Sequence, residues 1–332
     1  MKALRYLGPN VLEVQDVSRP EPGVGEVLLR VGACGICGSD VHGYLGLTGR
    51  RTPPMTMGHE FSGTVAAVGE GVTRLQPGDR VAPYPVEFCG TCGFCSAGKT
   101  NLCADKRQYG VLTVDGAFAE YLCVREDLCF PIADGVSFAQ ASMMEPLAVA
   151  YHAVKTAGDL KGKRVLIVGA GTIGLLALLC CRIAEPKEIL VSDLSAERRA
   201  LALRLGADMV IDPVSEPDKL KDVDVAFEAV GAGASVRSAM AALRIGGTAV
   251  WIGNNKPMIE LNMQQVVTRE LKIRGSFLYD MEDFGTVVDL INQGTLDVSG
   301  LISREIPLED APAAFRQLAE DPGGLIKVVV NP

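Results

Sequence analysis

The chain has 332 residues, 48% of them apolar and 22% charged, with 37 Gly and 18 Pro. That is enough for two packed domains of ~100–200 residues each and too well mixed for long disordered tracts. A formal charge of −8 repels a phosphate backbone and leaves no basic stripe, which excludes nucleic acid and an anionic membrane surface as partners.

Lys2 and Arg5 are not followed by an apolar run, so no secretory signal is read and the expected compartment is the cytoplasm. Ten cysteines should stay reduced there, and a spaced cluster of them reads as metal-binding. Residues 1 to about 147 are rich in Gly, Pro and short β-branched runs at 27–31, 63–68 and 80–83, with turn sequences such as GVGE, LQPGDR and TVDGAF between them. This spacing predicts a β-rich domain of short strands.

Two histidines fall early, in Cys34-Gly-Ile-Cys37-Gly-Ser39-Asp40-Val-His42 and in Gly58-His59-Glu60. A thiolate, an imidazole and carboxylates form a mixed ligand set for zinc that keeps one position open. Such an ion lowers the pKa of bound water from ~16 to about 7, and shifts a bound alcohol in the same direction. Cys34 and Cys37 make a C-x-x-C without the strand and helix of a redox motif, so Cys34 reads as a small buried residue. Cys89, Cys92, Cys95 and Cys103 follow as C-x2-C-x2-C-x7-C within a glycine-containing segment. Four thiolates suit a closed structural zinc site, with an iron–sulfur cluster as the competing occupant.

Near Pro146 the pattern changes. After a helix over AVAYHAVKTAG, strands at 165–168, 189–193, 209–211, 223–229, 248–252 and 271–275 alternate with helices at 172–184, 196–205, 234–243 and 263–269. That series predicts an α/β doubly wound parallel sheet. Residues 165–181 carry no charge, near the lower limit for a membrane span, but their glycines have another explanation. Gly169-Ala170-Gly171-Thr172-Ile173-Gly174 lies at the strand-to-helix turn, a G-x-G-x-x-G that seats a pyrophosphate at a helix N-terminus. Asp193 follows Gly174 by nineteen positions, close to the ~20 expected of a carboxylate that takes a ribose 2′-hydroxyl. NAD is therefore expected over NADP, with Arg198 as a side chain that either meets a 2′-phosphate or lies at the adenine edge. After Phe277, helices at 283–293 and 310–320 and a strand at 325–330 extend one domain or the other.

CGICGSDVH, GHE, the four-cysteine lobe, MMEPLAVAYHA and VLIVGAGTIG together resemble the zinc-dependent medium-chain alcohol dehydrogenases over nearly the whole chain. Glu145 in MEPLAV is similar to their polyol branch. The resemblance implies a GroES-like catalytic domain, residues 1–147 and 277–332, with a structural zinc lobe at about 86–104, and a Rossmann NAD-binding domain, 148–276. Cys37 and His59 match the family's zinc ligands, and Glu60 and Glu145 match carboxylates that reach zinc directly or through water. Ser39 matches the hydroxyl that takes the alcohol proton, and His42 the histidine that passes it towards solvent. Asp40 resembles a partner that orients His59, and Lys327 a cation balancing Asp40 or Glu60. Val230-Gly231, Ile252-Gly253 and Ser276-Phe277 resemble the turns that line the nicotinamide end.

The activity this resemblance implies is oxidation of a secondary alcohol of a polyol, sugar or sugar-derived alcohol to a ketone, using two zinc ions per chain and NAD, in a dimer or tetramer. Threonine, vicinal-diol, sugar-phosphate or aminocyclitol dehydrogenase are alternatives within the family, and a non-catalytic NAD-binding or structural protein is the alternative outside it. Arg50 and Arg51 could meet a substrate phosphate, although exposed loop arginines are commonly solvated. Leu278 stands where sorbitol dehydrogenases carry an arginine, which speaks against sorbitol itself.

Overall fold

Lys2–Gly8 (β1) and Val11–Asp16 (β2) pair antiparallel, with Lys2 opposite Asp16. Asn10 between them takes the left-handed conformation, φ 64°, which asparagine tolerates better than most side chains. This hairpin, extended by the short strand Met55–Thr56, is an addition to the strands expected from turn spacing. The computed structural model describes residues 1–332.

Glu26–Gly35 (β3) is the organising strand of the first unit, with Val27, Leu29, Ala33 and Cys34 fully buried. A short helix, Gly38–Tyr44 (α1), follows it directly. Glu60–Val68 (β4) returns antiparallel along β3, from Val68 opposite Val27 to Glu60 opposite Gly35. Arg80–Pro83 (β5), Tyr121–Arg125 (β6) and Cys129–Pro131 (β7) complete the N-terminal part of the sheet.

Met144–Ala157 (α2) leads into the second unit. There Arg164–Val168 (β8), Thr172–Ile183 (α3), Glu188–Ser192 (β9), Ala196–Arg204 (α4) and Met209–Ile211 (β10) alternate. Val223–Glu228 (β11), Gly233–Ala242 (α5), Leu243–Trp251 (β12), Met263–Thr268 (α6) and Lys272–Gly275 (β13) continue the pattern. The six strands are all parallel in the order β10-β9-β8-β11-β12-β13, so the order reverses between β8 and β11, where doubly wound sheets bind dinucleotides. Val165, Leu166 and Ile167 are completely buried, as a central strand covered on both faces requires. The uncharged run at 165–181 is thus β8, a turn and part of α3, and no helix is long and apolar enough to cross a membrane.

The chain then returns to the first unit. Met281–Asn292 (α7), Ile302–Pro307 (β14), Ala311–Glu320 (α8) and Lys327–Asn331 (β15) follow, and the first unit's large sheet runs β7-β5-β4-β3-β15-β14, with β6 also on β3. Two phenylalanines explain the return. Phe284 of α7 meets Tyr84 and Phe130 at centroid distances of 5.8 and 5.3 Å, and Phe315 of α8 meets Tyr44 and Phe118 at 5.8 and 5.7 Å. Such edge-to-face rings stabilise by roughly 0.5–1.5 kcal/mol per pair beyond the apolar area they bury. The two compact units are residues 1–145 with 280–332, and residues 146–279.

Candidate metal and cofactor sites

In the four-cysteine segment, Gly90 and Gly98 adopt positive φ, 74° and 75°, and let the backbone wrap around a common centre. Sγ–Sγ separations are 3.5 Å for Cys92–Cys95, 3.6 Å for Cys103–Cys89 and 3.9 Å for Cys89–Cys95. A tetrahedral site with Zn–S bonds of ~2.3 Å has edges of ~3.8 Å, so the four sulfurs already have zinc's dimensions. All ten cysteines are free thiols. The backbone N–H groups of Thr91 and Cys92 point at Cys89 and pull its thiol down to about 6, which favours the anionic form that a metal needs. Thr100, inside the lobe, ties it to the rest of the unit by hydrogen bonds with the Tyr84 hydroxyl and the Met281 N–H, both 3.2 Å.

The second cluster is a product of strand register. Because Gly35 of β3 faces Glu60 of β4, Cys37, two residues beyond Gly35, and His59, one before Glu60, arrive at the same end of the sheet. Cys37, His59 and Glu60 place ligand atoms within 4.8 Å of one another, with His59 and Glu60 only 4% and 1% exposed. A Cβ at Gly35 would fall 2.2 Å from Glu60 Oε2, and one at Gly58 2.7 Å from Cys34 Sγ, so Gly35 leaves room for the Glu60 carboxylate and Gly58 for the buried Cys34. Cys34 is fully buried, and burial pushes its thiol well up, as suits an inert packing residue.

Charged residues buried around this cluster are paired. β15 lies beside β3, with Val329 opposite Gly35, which brings Lys327 Nζ to 2.5 Å from Glu60 Oε2 and lets it donate to the Ile36 carbonyl at 3.1 Å. The partner of Lys327 is therefore Glu60, not Asp40. Burial opposes the Lys327 charge, but Glu60 and Cys37 hold its pKa above the usual lysine value. Asp40, the third residue of α1, is fully buried. Its Oδ2 accepts from the Cys37 N–H at 3.3 Å, its Oδ1 accepts from Arg51 Nη2 at 2.8 Å, and His59 Nδ1 lies 3.5 Å from the same Oδ1. Burial works against the Asp40 charge, yet His59 and Arg51 hold the carboxyl well below the usual carboxylate range.

Arg51 is thus not a solvated or phosphate-facing loop residue. It is 7% exposed and ion-paired, and only Arg50 remains on the surface. Glu145, at the start of α2 and 5% exposed, lies outside the three-ligand cluster, although its charge reaches Lys327. Ser39 and His42 sit three positions apart on α1, the first exposed and the second half-buried.

The donor set fits zinc in type. A thiol, an imidazole and a carboxylate converge within 4.8 Å, beside the buried ion pairs Asp40–Arg51 and Glu60–Lys327, which is a mixed ligand set of the kind zinc takes. The buried His59 Nδ1 has no hydrogen bond of ordinary length, and fixing the ring by coordination would shorten its contact with Asp40.

In the second unit every expected cofactor residue follows the C-terminal end of a parallel strand. Gly169 takes φ +99° and its N–H donates to the Ser192 carbonyl at 2.8 Å. A Cβ at Gly174 would lie 1.7 Å from the Gly169 carbonyl oxygen, and Gly171 caps α3, with Thr172 and Ile173 opening that helix. Asp193 accepts from Ala170 N–H at 2.7 Å through one carboxylate oxygen and from Ser195 N–H at 2.8 Å through the other, which fixes it against the glycine turn. Arg198 on α4 has a buried Nε without a partner. Gly231 and Gly253 meet backbone to backbone: a Cβ on Gly253 would be 2.1 Å from Gly231 N, and one on Gly231 2.4 Å from Asn254 N. Val230, Ile252, Ser276 and Phe277 are all at least partly exposed along this edge.

Sequence reasoning missed Glu228, a completely buried carboxylate at the end of β11 that accepts from Val230 N–H at 3.0 Å and Gly231 N–H at 2.9 Å. The available signal was an acid closing an apolar strand immediately before the Ala-Val-Gly turn.

A cluster of metal-ligand type in one unit and a doubly wound parallel sheet with a glycine turn in the other are the features of a metal-dependent dehydrogenase. Residues 23–134 match the alcohol dehydrogenase GroES-like domain and residues 172–293 the zinc-binding dehydrogenase domain. Sorbitol dehydrogenase of Ovis aries is 34% identical over 98% of this chain and 95% of its own length. D-xylulose reductase A of Aspergillus niger is 34% identical over 96% of this chain and 94% of its own. The crystal structure of a zinc-binding dehydrogenase from Sinorhizobium meliloti 1021 bound to NADP superposes with a TM-score of 0.93, at 34% identity, covering 100% of this chain and 99% of that one. The chain belongs to the zinc-dependent medium-chain alcohol dehydrogenases, in their polyol-type branch. It is an oxidoreductase that acts on small-molecule alcohols with a nicotinamide cofactor.

Proposed function

We propose that this enzyme oxidises a secondary hydroxyl of a polyol, sugar or sugar-derived alcohol to a ketone, passing hydride to NAD. The observation that carries this reading is the buried convergence of Cys37, His59 and Glu60 in a chain similar throughout its length to a sorbitol dehydrogenase and a D-xylulose reductase. Cys37, His59 and Glu60 hold the catalytic zinc, and Glu145 stands by as a second carboxylate. Cys89, Cys92, Cys95 and Cys103 hold a structural one. When bound, zinc polarises the alcohol oxygen and NAD accepts the hydride from the carbinol carbon. Ser39 takes the hydroxyl proton, and His42, an imidazole of the kind that serves general acid–base work, releases it to water.

Asp193 favours NAD, since its fixed carboxylate accepts ribose hydroxyls and repels a 2′-phosphate, with Arg198 flanking the adenosine. The turns at Val230-Gly231, Ile252-Gly253 and Ser276-Phe277 line the nicotinamide end. The engagement of Arg51 by Asp40 leaves Arg50 as the only surface cation of that loop pair and places sugar phosphates behind neutral polyols. We also propose a homo-oligomer, supported by the wholly exposed edge strand β13, which pairs with β12 on one side and ends the sheet on the other, and a reducing, cytoplasmic location, which suits ten free thiols.

The test is a panel of polyols, sugar acids, vicinal diols, threonine, aminocyclitols and sugar phosphates, followed by NADH absorbance after zinc reconstitution. Turnover of polyols or related sugar alcohols is the expected result. Silence across the whole panel with two zinc ions bound would make the chain a binding protein instead.

A further inference from the structure

The candidate metal ligands are held by more than their own strands. Asp40 touches two of them at once, through the Cys37 N–H and the His59 ring. A buried carboxylate in that position is useful only if it cannot rotate, because a His ring takes its orientation from the acceptor opposite its second nitrogen. The structure supplies the restraint from outside the sequence motifs. Arg51 donates from Nη2 to Asp40 Oδ1 at 2.8 Å and lies 3.4 Å from Ser39 Oγ through the same nitrogen. Its own freedom is removed by a donor contact from Nη1 to the Arg50 carbonyl at 3.2 Å and by Gly43, where a Cβ would lie 2.5 Å from Arg51 Cγ. The backbone around it is clamped as well, with Leu112 N–H donating to the Arg50 carbonyl at 2.8 Å and Thr52 N–H to the Leu112 carbonyl at 3.0 Å. A side chain with 3% exposure cannot serve as a surface cation for a substrate phosphate.

We propose that Arg51 is a positioning residue of the metal site: its guanidinium locks Asp40, and through Asp40 fixes the His59 ring and the Cys37 amide in the arrangement that the metal requires. The proposal rests on the reading of Cys37, His59 and Glu60 as the catalytic metal site. It explains why a loop eight residues before His59 closes over α1, and why an arginine is buried there. A guanidinium's fixed fork lets Nη2 serve Asp40 while Nη1 holds the Arg50 carbonyl, whereas an ammonium is a point charge.

The experiment loads Co²⁺ at the Cys37 site, with the lobe left zinc-filled, and records the ligand-field spectrum together with kcat and KM. Wild-type protein should give a Cys37-dependent cobalt spectrum; absence of that spectrum overturns the metal-site reading itself rather than the role of Arg51. Arg51→Met should alter the spectrum and lower kcat about 10–100-fold while KM for NAD stays near wild type, and Arg51→Lys should recover part of both. In an Asp40→Asn background the Arg51→Met change should cost little more, because the two act through one contact. A wild-type spectrum and kcat in Arg51→Met, or losses that multiply independently of Asp40→Asn, would refute the proposal. If Arg51→Met does not fold, Asp40→Asn alone carries the same expectation, and a wild-type spectrum and kcat there refute it equally.

Discussion

At the scale of single residues, the first unit handles charge by pairing. Glu60 with Lys327 and Asp40 with Arg51 are both almost fully buried, and removing one member of such a pair strands the other, commonly at a cost of about 3–5 kcal/mol. Lys327→Met should therefore lower the thermal midpoint far more than a surface lysine change, a difference readable by calorimetry. Cys37 instead contributes its side chain to the three converging ligand atoms. Cys37→Ser should keep the fold by circular dichroism and lower the metal content from two zinc ions per chain to one, and a collapse of the fold would reverse the assignment. Ser39→Ala should reduce kcat by roughly 10²–10⁴-fold, the usual worth of a positioned proton acceptor, with zinc content unchanged. Asp193→Ala should lower the preference for NAD over NADP at least about tenfold, the value of one charge-assisted hydrogen bond, as measured by the ratio of kcat/KM for the two cofactors.

Elements carry the next set of constraints. The turn from β8 into α3 leaves no space at Gly174, whose added Cβ would sit 1.7 Å from a backbone oxygen. Gly174→Ala must displace the helix from the strand and should destabilise by about 1–3 kcal/mol or more, seen as a lower denaturant midpoint. The four-cysteine lobe has only short helical turns and few buried side chains of its own, so the structural zinc proposed there would set its shape. Cys92→Ser should reduce stability markedly and expose the lobe to protease. Loss of activity alone, with stability intact, would contradict a structural role.

On the scale of the whole molecule, the chain crosses from one unit to the other and back. The C-terminal helices α7 and α8 bury Phe284 and Phe315 among rings contributed by residues 44–130. Truncation before residue 311 would remove both Phe315 and Lys327, and should unfold the first unit rather than merely shorten it. The exposed edge of β13 offers unpaired N–H and C=O groups for a second copy. Light scattering should give a mass above that of one chain, and a proline within β13 should lower it.

Much of this was legible without coordinates wherever chemistry is local. The glycine turn is readable because a tight strand-to-helix passage over a pyrophosphate demands missing side chains at fixed spacing, and the lobe because four thiolates within fifteen residues have few other uses. The alternation of apolar strands and helices from 164 to 275 required only periodicity. What the fold alone decided was partnership across distance: that the β3–β4 register brings Cys37 to His59, that Lys327 meets Glu60 and not Asp40, that Arg51 is buried, and that Glu228 caps a turn. The reason is physical. Which charges are paired depends on which are taken out of water together, and that follows from strand register and burial, quantities to which widely separated residues contribute jointly.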